Sequence, residues 1–224
     1  GDVFRDEYSL SFDGTDDNIS ISSTAYDVDG GNISFVFWVK RATTGAVHIL
    51  MGYTGNEYRS RIYFADNDTL RIESDTNGDE ATVTQNTNDT GWHHWVLSIS
   101  SGTVTAYQDG VSASVSGDVN GNNITLDTIA GGGSGGTNFE LNGSISEIAI
   151  YTTNLSASQV KTLYNSREPY NHKEGIASGD LHAWWRMGDG LENHSGSTIY
   201  DMSTNSNNGT MTNMASDDFT GDTP

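Results

Sequence analysis

The stretch Trp92–Val115, WHHWVLSISSGTVTAYQDGVSASV, decides the fold. Trp92 to Ser100 carries bulky residues at both parities: Trp92, His94 and Val96 on one, Trp95, Leu97 and Ile99 on the other. A strand of that kind lies near the centre of a sheet and is covered on at least one face. Ser101-Gly102 interrupts it, and Thr103 to Gln108 resumes with β-branched and aromatic residues. Asp109-Gly110 then turns the chain into Val111, Ala113 and Val115, because glycine reaches the positive φ that a tight hairpin needs. Three strands joined by two short turns form a β-meander, a unit of antiparallel sandwiches.

The flanking chain fits the same class. Ile33 to Lys40, ISFVFWVK, is the most apolar strand and is expected to be central and buried. Glu7 to Phe12 reads as a first strand and Ile19 to Ile21 as a short second one. Val47–Met51, Arg61–Phe64, Leu70–Glu73 and Ala81–Thr84 are further short strands separated by Gly, Asn and Asp. Leu126–Ala130, Phe139–Leu141 and Ser144–Tyr151 complete the set, the first two joined by a glycine-rich loop, Gly131 to Gly136. One helix is expected, Ser156 to Asn165, with Ser156 as N-cap and Gln159 closing a capping box. Val160, Leu163 and Tyr164 would share its packed face.

Composition narrows the function. The chain has 224 residues, a formal net charge of −20 and no cysteine. Aromatic residues make up 10%, which separates it from disordered acidic chains. Phosphate backbones and anionic membranes repel such a surface, so neither nucleic acid nor membrane insertion is expected. No apolar run approaches the roughly 20 residues that span a bilayer. The acidity serves solubility or, through loop carboxylates, binding of a divalent cation such as Ca²⁺.

Three motifs carry a family resemblance. The Trp92-His93-His94 strand leading to Tyr107-Gln108-Asp109-Gly110, the early Ser11-Phe12-Asp13-Gly14-Thr15-Asp16-Asp17, and the late Asn142-Gly143-Ser144-Ile145-Ser146-Glu147-Ile148-Ala149-Ile150-Tyr151 stand in order. Together they resemble the laminin-G-like, concanavalin A-like lectin family. The resemblance implies an all-β, two-sheet antiparallel jelly roll with one short helix. The tail, residues 170–224, contains Leu181 to Gly190, Tyr200-Asp201-Met202-Ser203 and Asn207-Asn208-Gly209-Thr210, which resemble the segment that usually begins such domains. One domain over 1–224 is therefore expected, with the tail docked back beside Tyr8–Phe12; about 45 residues could not bury a sandwich core alone. Chains with this ending resemble virion-surface proteins of tailed and marine phages.

Each candidate for chemistry has a plainer alternative. The resemblance implies a Ca²⁺ site at Asp13, Asp16, Asp17 and Glu147, although the family's usual late-strand Asp is Ser146 here; otherwise the three aspartates form a solvated acidic turn. Asp66 and Asp68 pose the same choice. Asp75-Thr76-Asn77-Gly78-Asp79-Glu80 begins like a Ca²⁺ loop, but Glu80 and Asn86 break that pattern, and an Asn-Gly hairpin explains it. Tyr53, Glu57, Tyr58, Arg59 and Arg61 could hold a glycan by stacking and hydrogen bonding, or form a charged loop. His93 and His94 point to opposite faces, as do Trp184 and Trp185. One of the two tryptophans is expected in the core; the other is a sugar platform or covers the sheet. Gly132-Gly133-Ser134-Gly135-Gly136 matches a nucleophile elbow only in letters, with no helix after it, and the paired carboxylates of the glycosidase relatives are missing. Sequons at Asn18, Asn67 and Asn123 are chance products of an Asn-, Ser- and Thr-rich chain. The expectation is a non-enzymatic carbohydrate-binding or adhesion domain on a virion or cell surface, outside the cell. The alternative is a structural decoration or fibre protein whose partners are other surface proteins and which assembles into oligomers.

Overall fold

The computed structural model describes residues 4–55, 59–75, 79–85, 87–132, 139–189 and 196–224. In chain order the strands are β1 (Ser9–Asp13), β2 (Asn18–Tyr26), β3 (Asn32–Arg41), β4 (His48–Gly52), β5 (Arg61–Phe64), β6 (Leu70–Glu73) and β7 (Glu80–Val83). There follow β8 (Trp92–Ser100), β9 (Thr103–Gln108), β10 (Val111–Ala113), β11 (Val115–Ser116), β12 (Ile124–Ile129) and β13 (Asn142–Tyr151). Helix α1 (Ala157–Tyr164) precedes β14 (Leu181–Trp185), β15 (Thr198–Ile199), β16 (Gly209–Thr212) and β17 (Phe219–Thr220).

Two antiparallel sheets result. One runs β10-β9-β8-β3-β13-β1-β17, with β14 also on β13; the other runs β11-β7-β6-β5-β4-β12-β2-β16-β15. The meander forms as its turns dictate. Ser101 and Gly102, then Asp109 and Gly110, all take positive φ, and the pairing closes at Ser100 with Thr103 and at Gln108 with Val111. β8 and β3 sit side by side over nine register positions, from Asn32 with Ser100 to Lys40 with Trp92. Alternation then sends Phe35, Phe37, Trp95 and Leu97 between the sheets. β2 is longer than the sequence suggests. Its Ser and Thr positions hide the alternation, but both of its edges are paired, to β12 and β16, so the backbone stays in the ladder.

The tail supplies strands to both sheets. β14 pairs β13, β17 pairs β1, and β16 pairs β2. Trp185, Met187, Ile199, Met211 and Phe219 enter the core between the sheets.

A second apolar cluster lies on the outer face of the first sheet. Val36, Val96, Tyr107, Ala149 and Trp184 form it from the strands, and Val160 and Leu163 of α1 cover it. The helix starts where the capping box sets it: the Ser156 hydroxyl accepts from Gln159 N–H and the Gln159 side chain accepts from Ser156 N–H. Tyr164 is only partly buried, its ring against Trp38 at 5.8 Å.

His93 and His94 diverge. His94 is buried, its ring 5.0 Å from Trp38, and burial pushes its pKa down to about 3, so it stays neutral. His93 bridges Asp109 (Nδ1 to Oδ2, 2.7 Å) and Asp89 (Nε2 to Oδ1, 2.9 Å). The bond to Asp109 chiefly, and that to Asp89, raise its pKa above 6.5. A raised folded-state pKa means that this stabilisation is complete below the unfolded value and fades as pH rises through the folded one. The melting temperature of the wild type should thus exceed that of His93→Gln most at about pH 6, with the gap shrinking by about pH 9. A gap that is constant with pH would contradict the bridge.

Candidate functional site

Among the described residues, those singled out from the sequence do not form one group. Asp13, Asp16 and Asp17 do meet, with ligating atoms within 4.8 Å of one another. Two of their oxygens accept backbone bonds: Asp17 Oδ2 accepts Asp13 N–H (2.9 Å) and Asp13 Oδ1 accepts Thr15 N–H (2.7 Å). Backbone donors thus offset part of the repulsion, as in a hydrogen-bonded turn. Burial chiefly, then neighbouring aspartates, hold the Asp17 pKa above the usual carboxylate value. Thermal unfolding with Ca²⁺ and after EDTA separates the two readings. A hundredfold excess over Kd would add about 2.7 kcal/mol, whereas the turn alone gives no shift.

Glu147 stands apart from that group. The β1–β13 register places Asp13 opposite Asn142 and Leu10 opposite Ile145. Five further residues of strand carry Glu147 about 15 Å along β13, beside the segment that precedes β1. In the proposed glycan loop, Glu57 and Tyr58 lie outside the described residues. Tyr53 and Arg59 are partly buried. Arg61 is occupied, its Nε 2.9 Å from Glu73 Oε2 and its guanidinium 4.0 Å over the Tyr63 ring. Asp75 holds Thr125, accepting from its N–H (3.0 Å) and hydroxyl (2.8 Å), which ties β12 to that loop. Trp184 and Trp185 split between faces, but each is 1% exposed, so neither is a platform for sugar. The second face is not open, because α1 and the chain after it cover it.

A different site is built around Glu147. Ile145 and Ile148 both enter the core although they are three residues apart. Strict alternation forbids that, and the register on β3 shifts between them: Ile145 faces Val39 and Ile148 faces Phe37. Ser146 and Glu147 therefore oppose the single residue Trp38, a β-bulge. The bulge lies where β13 passes from pairing with β1 to pairing with β14. It turns Glu147 to the outer face, where it is 5% exposed.

Around it, Glu147 Oε2 accepts Trp184 Nε1–H at 3.0 Å and lies 3.4 Å from His172 Nε2. His172 Nδ1 meets the Tyr151 hydroxyl at 2.5 Å. Arg186 Nε is 3.6 Å from Glu147 Oε1, too far for a hydrogen bond. The Arg186 guanidinium is stacked over Phe4 (4.3 Å) and Trp184 (5.5 Å) and donates to the Arg5 carbonyl. The Ser146 hydroxyl donates to Asp6. Burial, the neighbouring Asp189 carboxyl and the Glu147 charge push Asp6 up to about 9, so it holds its proton at neutral pH. Asp189 anchors the leading segment by accepting Glu7 N–H (2.9 Å) and Tyr8 N–H (3.1 Å).

Of these groups, Asp6, Glu147 and His172 floor a cavity of about 250 Å³, lined also by Trp38, Leu163, Arg167, Glu168 and Tyr170. It is smaller than the roughly 300–1,000 Å³ of sites for drug-sized ligands, and it is polar, which limits the occupant to something near one sugar ring. Asp6, His172 and Arg186 were not found from the sequence. The sequence does hold one signal for the bulge, the parity break in Ile145-Ser146-Glu147-Ile148.

Comparison with known proteins places this geometry in context. The family profile described as the concanavalin A-like lectin/glucanases superfamily matches residues 13–161, more than half of the chain. No curated protein matches. Among solved structures, a candidate carbohydrate-binding protein of Bacteroides ovatus superposes with a TM-score of 0.70 at 18% identity, over 97% of this chain and 60% of its own. The chain thus spans three fifths of that protein. A SAP-like pentraxin of Limulus polyphemus aligns with a TM-score of 0.53 at 18% identity, over 73% of this chain and 84% of its own. A sialidase of Trypanosoma rangeli reaches 0.50 at 15% identity, over 74% of this chain but 28% of the sialidase. At these identities the likeness is one of fold.

Proposed function

Because the chain belongs to the concanavalin A-like lectin/glucanase superfamily, we propose that it is a non-enzymatic carbohydrate-binding domain that holds a sugar in the cavity over the β13 bulge. One observation carries this reading: a polar cavity of about 250 Å³ with two aromatic rings, Trp38 and Tyr170, and the Glu147 carboxylate on its walls. Aromatic faces cover the apolar side of a sugar ring, and fixed polar groups take its hydroxyls. The structural likeness to a candidate carbohydrate-binding protein supports the same class.

Non-enzymatic action is favoured by how the acids are held. Glu147 is bound by Trp184 Nε1 and flanked by His172 and Arg186, and Asp6 is tied to Ser146. Each therefore has one carboxyl oxygen committed to the fold. Display on a virion or cell surface completes the reading, supported by the resemblance of the tail to virion-surface proteins. Repetition there would raise a weak affinity per site. Against the alternative of a pure decoration protein, Val111 is the one large hydrophobic residue that is exposed among the described residues, so the described surface offers no broad apolar patch for assembly.

Glycan-array binding is expected for the wild type. Trp38→Leu, which keeps apolar volume but loses the ring face, should weaken it about tenfold, the upper end of the ~0.5–1.5 kcal/mol of an aromatic contact. Array binding untouched by that change would move the site elsewhere. Self-assembly or shell binding without any array signal would favour the decoration protein, and release of sugar from a polysaccharide would restore an enzyme.

A further inference from the structure

We propose that the cavity selects a sugar that carries a protonated amino group. This rests on the glycan reading above and narrows it. Glu147 is 5% exposed, and its Oε1 accepts no hydrogen bond. A buried carboxylate oxygen without a donor is costly, and Glu147 lines the cavity, so the missing donor comes from that side. The nearest cation does not supply it: Arg186 Nε stays 3.6 Å away, its guanidinium bonded to the Arg5 carbonyl and stacked on Phe4 and Trp184.

A neutral hydroxyl would also meet that oxygen, but three features favour a cation. Asp6, which lines the same floor, holds its proton at neutral pH and so adds no second charge beside Glu147. A charge-assisted hydrogen bond to that charge is roughly twice as strong as a neutral one. Trp38 and Tyr170 line the same space, and aromatic faces attract ammonium groups within about 6 Å. The formal net charge of −20 raises the local concentration of cations around the whole domain. Arg167 lines the cavity and opposes this, but it is exposed to solvent, and the Glu168 carboxylate lines the cavity as well.

The test is a nitrogen-15 correlation NMR titration of the full chain with glucosamine, N-acetylglucosamine and glucose at about pH 6.5. The Trp184 indole N–H, bonded to Glu147, reports on the site. Glucosamine should bind at least tenfold more tightly than the other two and move that resonance, and Glu147→Gln should abolish the preference. The wild-type series decides the matter even if that variant fails to fold. Equal binding of all three sugars would overturn the amino-group inference and leave the glycan reading standing. Binding of glucosamine that moves only resonances remote from the cavity would overturn it too. No binding by these three, with glycan-array signals for other sugars, defeats the inference alone; no glycan signal of any kind defeats both.

Discussion

A chain ended at Pro169 is expected to lose its cooperative thermal transition and its near-ultraviolet circular dichroism. The cut removes β14 to β17 and leaves three other strands with bare edges. β13 loses its partner from Ile148 to Tyr151, β1 loses β17, and β2 loses β16. It also empties the core of Trp185, Met187, Ile199, Met211 and Phe219, none more than 9% exposed. Truncating a buried tryptophan costs ~3–5 kcal/mol and a buried Ile or Met ~2–5. Two such losses already approach the ~5–15 kcal/mol that holds a whole domain together. Supplying residues 170–224 as a separate peptide should restore part of the signal. A fragment 1–169 that melts like the full chain would mean that the tail is an appendage and that the two sheets close without it.

The sequence shows the fold where the cause is local. Ser101-Gly102 and Asp109-Gly110 need positive φ whatever surrounds them, and they take it. Ser156 and Gln159 close a box within one helical turn. The candidate site is made the other way, from residues far apart in the chain. Ser146 meets Asp6 across 140 positions and Arg186 reaches Arg5 across 181. Such contacts exist only once the tail and the leading segment have both docked on the outer face. Glu147 was legible only as a candidate metal ligand on the late strand, and its neighbours were not. An antiparallel register fixes them, and the register runs Glu147 away from Asp13 and towards Asp6. Trp184 and Trp185 misled for a related reason: alternation tells that two residues face apart, not whether something covers both faces.

The acidic loop at Asp66 and Asp68 makes the second large effect. Asp68 is not a solvated turn acid. It is 8% exposed, and Arg41, at 4%, reaches it with Nη1 to Oδ1 at 2.6 Å. Arg41 also donates to the Thr87 carbonyl and lies 4.4 Å over the Phe64 ring, while Asp68 accepts Gly45 N–H at 2.9 Å. One ion pair thus ties the end of β3 to the loop after β5 and the approach to β8. Breaking a buried pair from one side strands a charge and costs ~3–5 kcal/mol. Asp68 has φ 64°, a conformation that Asn tolerates well, so Asp68→Asn removes the charge without backbone strain. It is expected to cost about 3 kcal/mol, the low end of that range, because the amide oxygen still accepts. For a domain of this size that lowers Tm by roughly 6–12 °C. Arg41→Met with Asp68→Asn should recover much of the loss, since neither charge is then stranded. Acid should act like the single variant. Burial raises the Asp68 pKa, but the Gly45 N–H and Arg41 outweigh it and hold it below the usual 3.8. A depressed pKa gives stability that is complete above the unfolded value and is lost as pH falls through the folded one. The wild type should therefore lose stability over its acid limb more steeply than Asp68→Asn does. Urea unfolding of the wild type, both single variants and the double variant checks this, and costs within about 0.5 kcal/mol for all of them would show the pair to be no better than one at the surface.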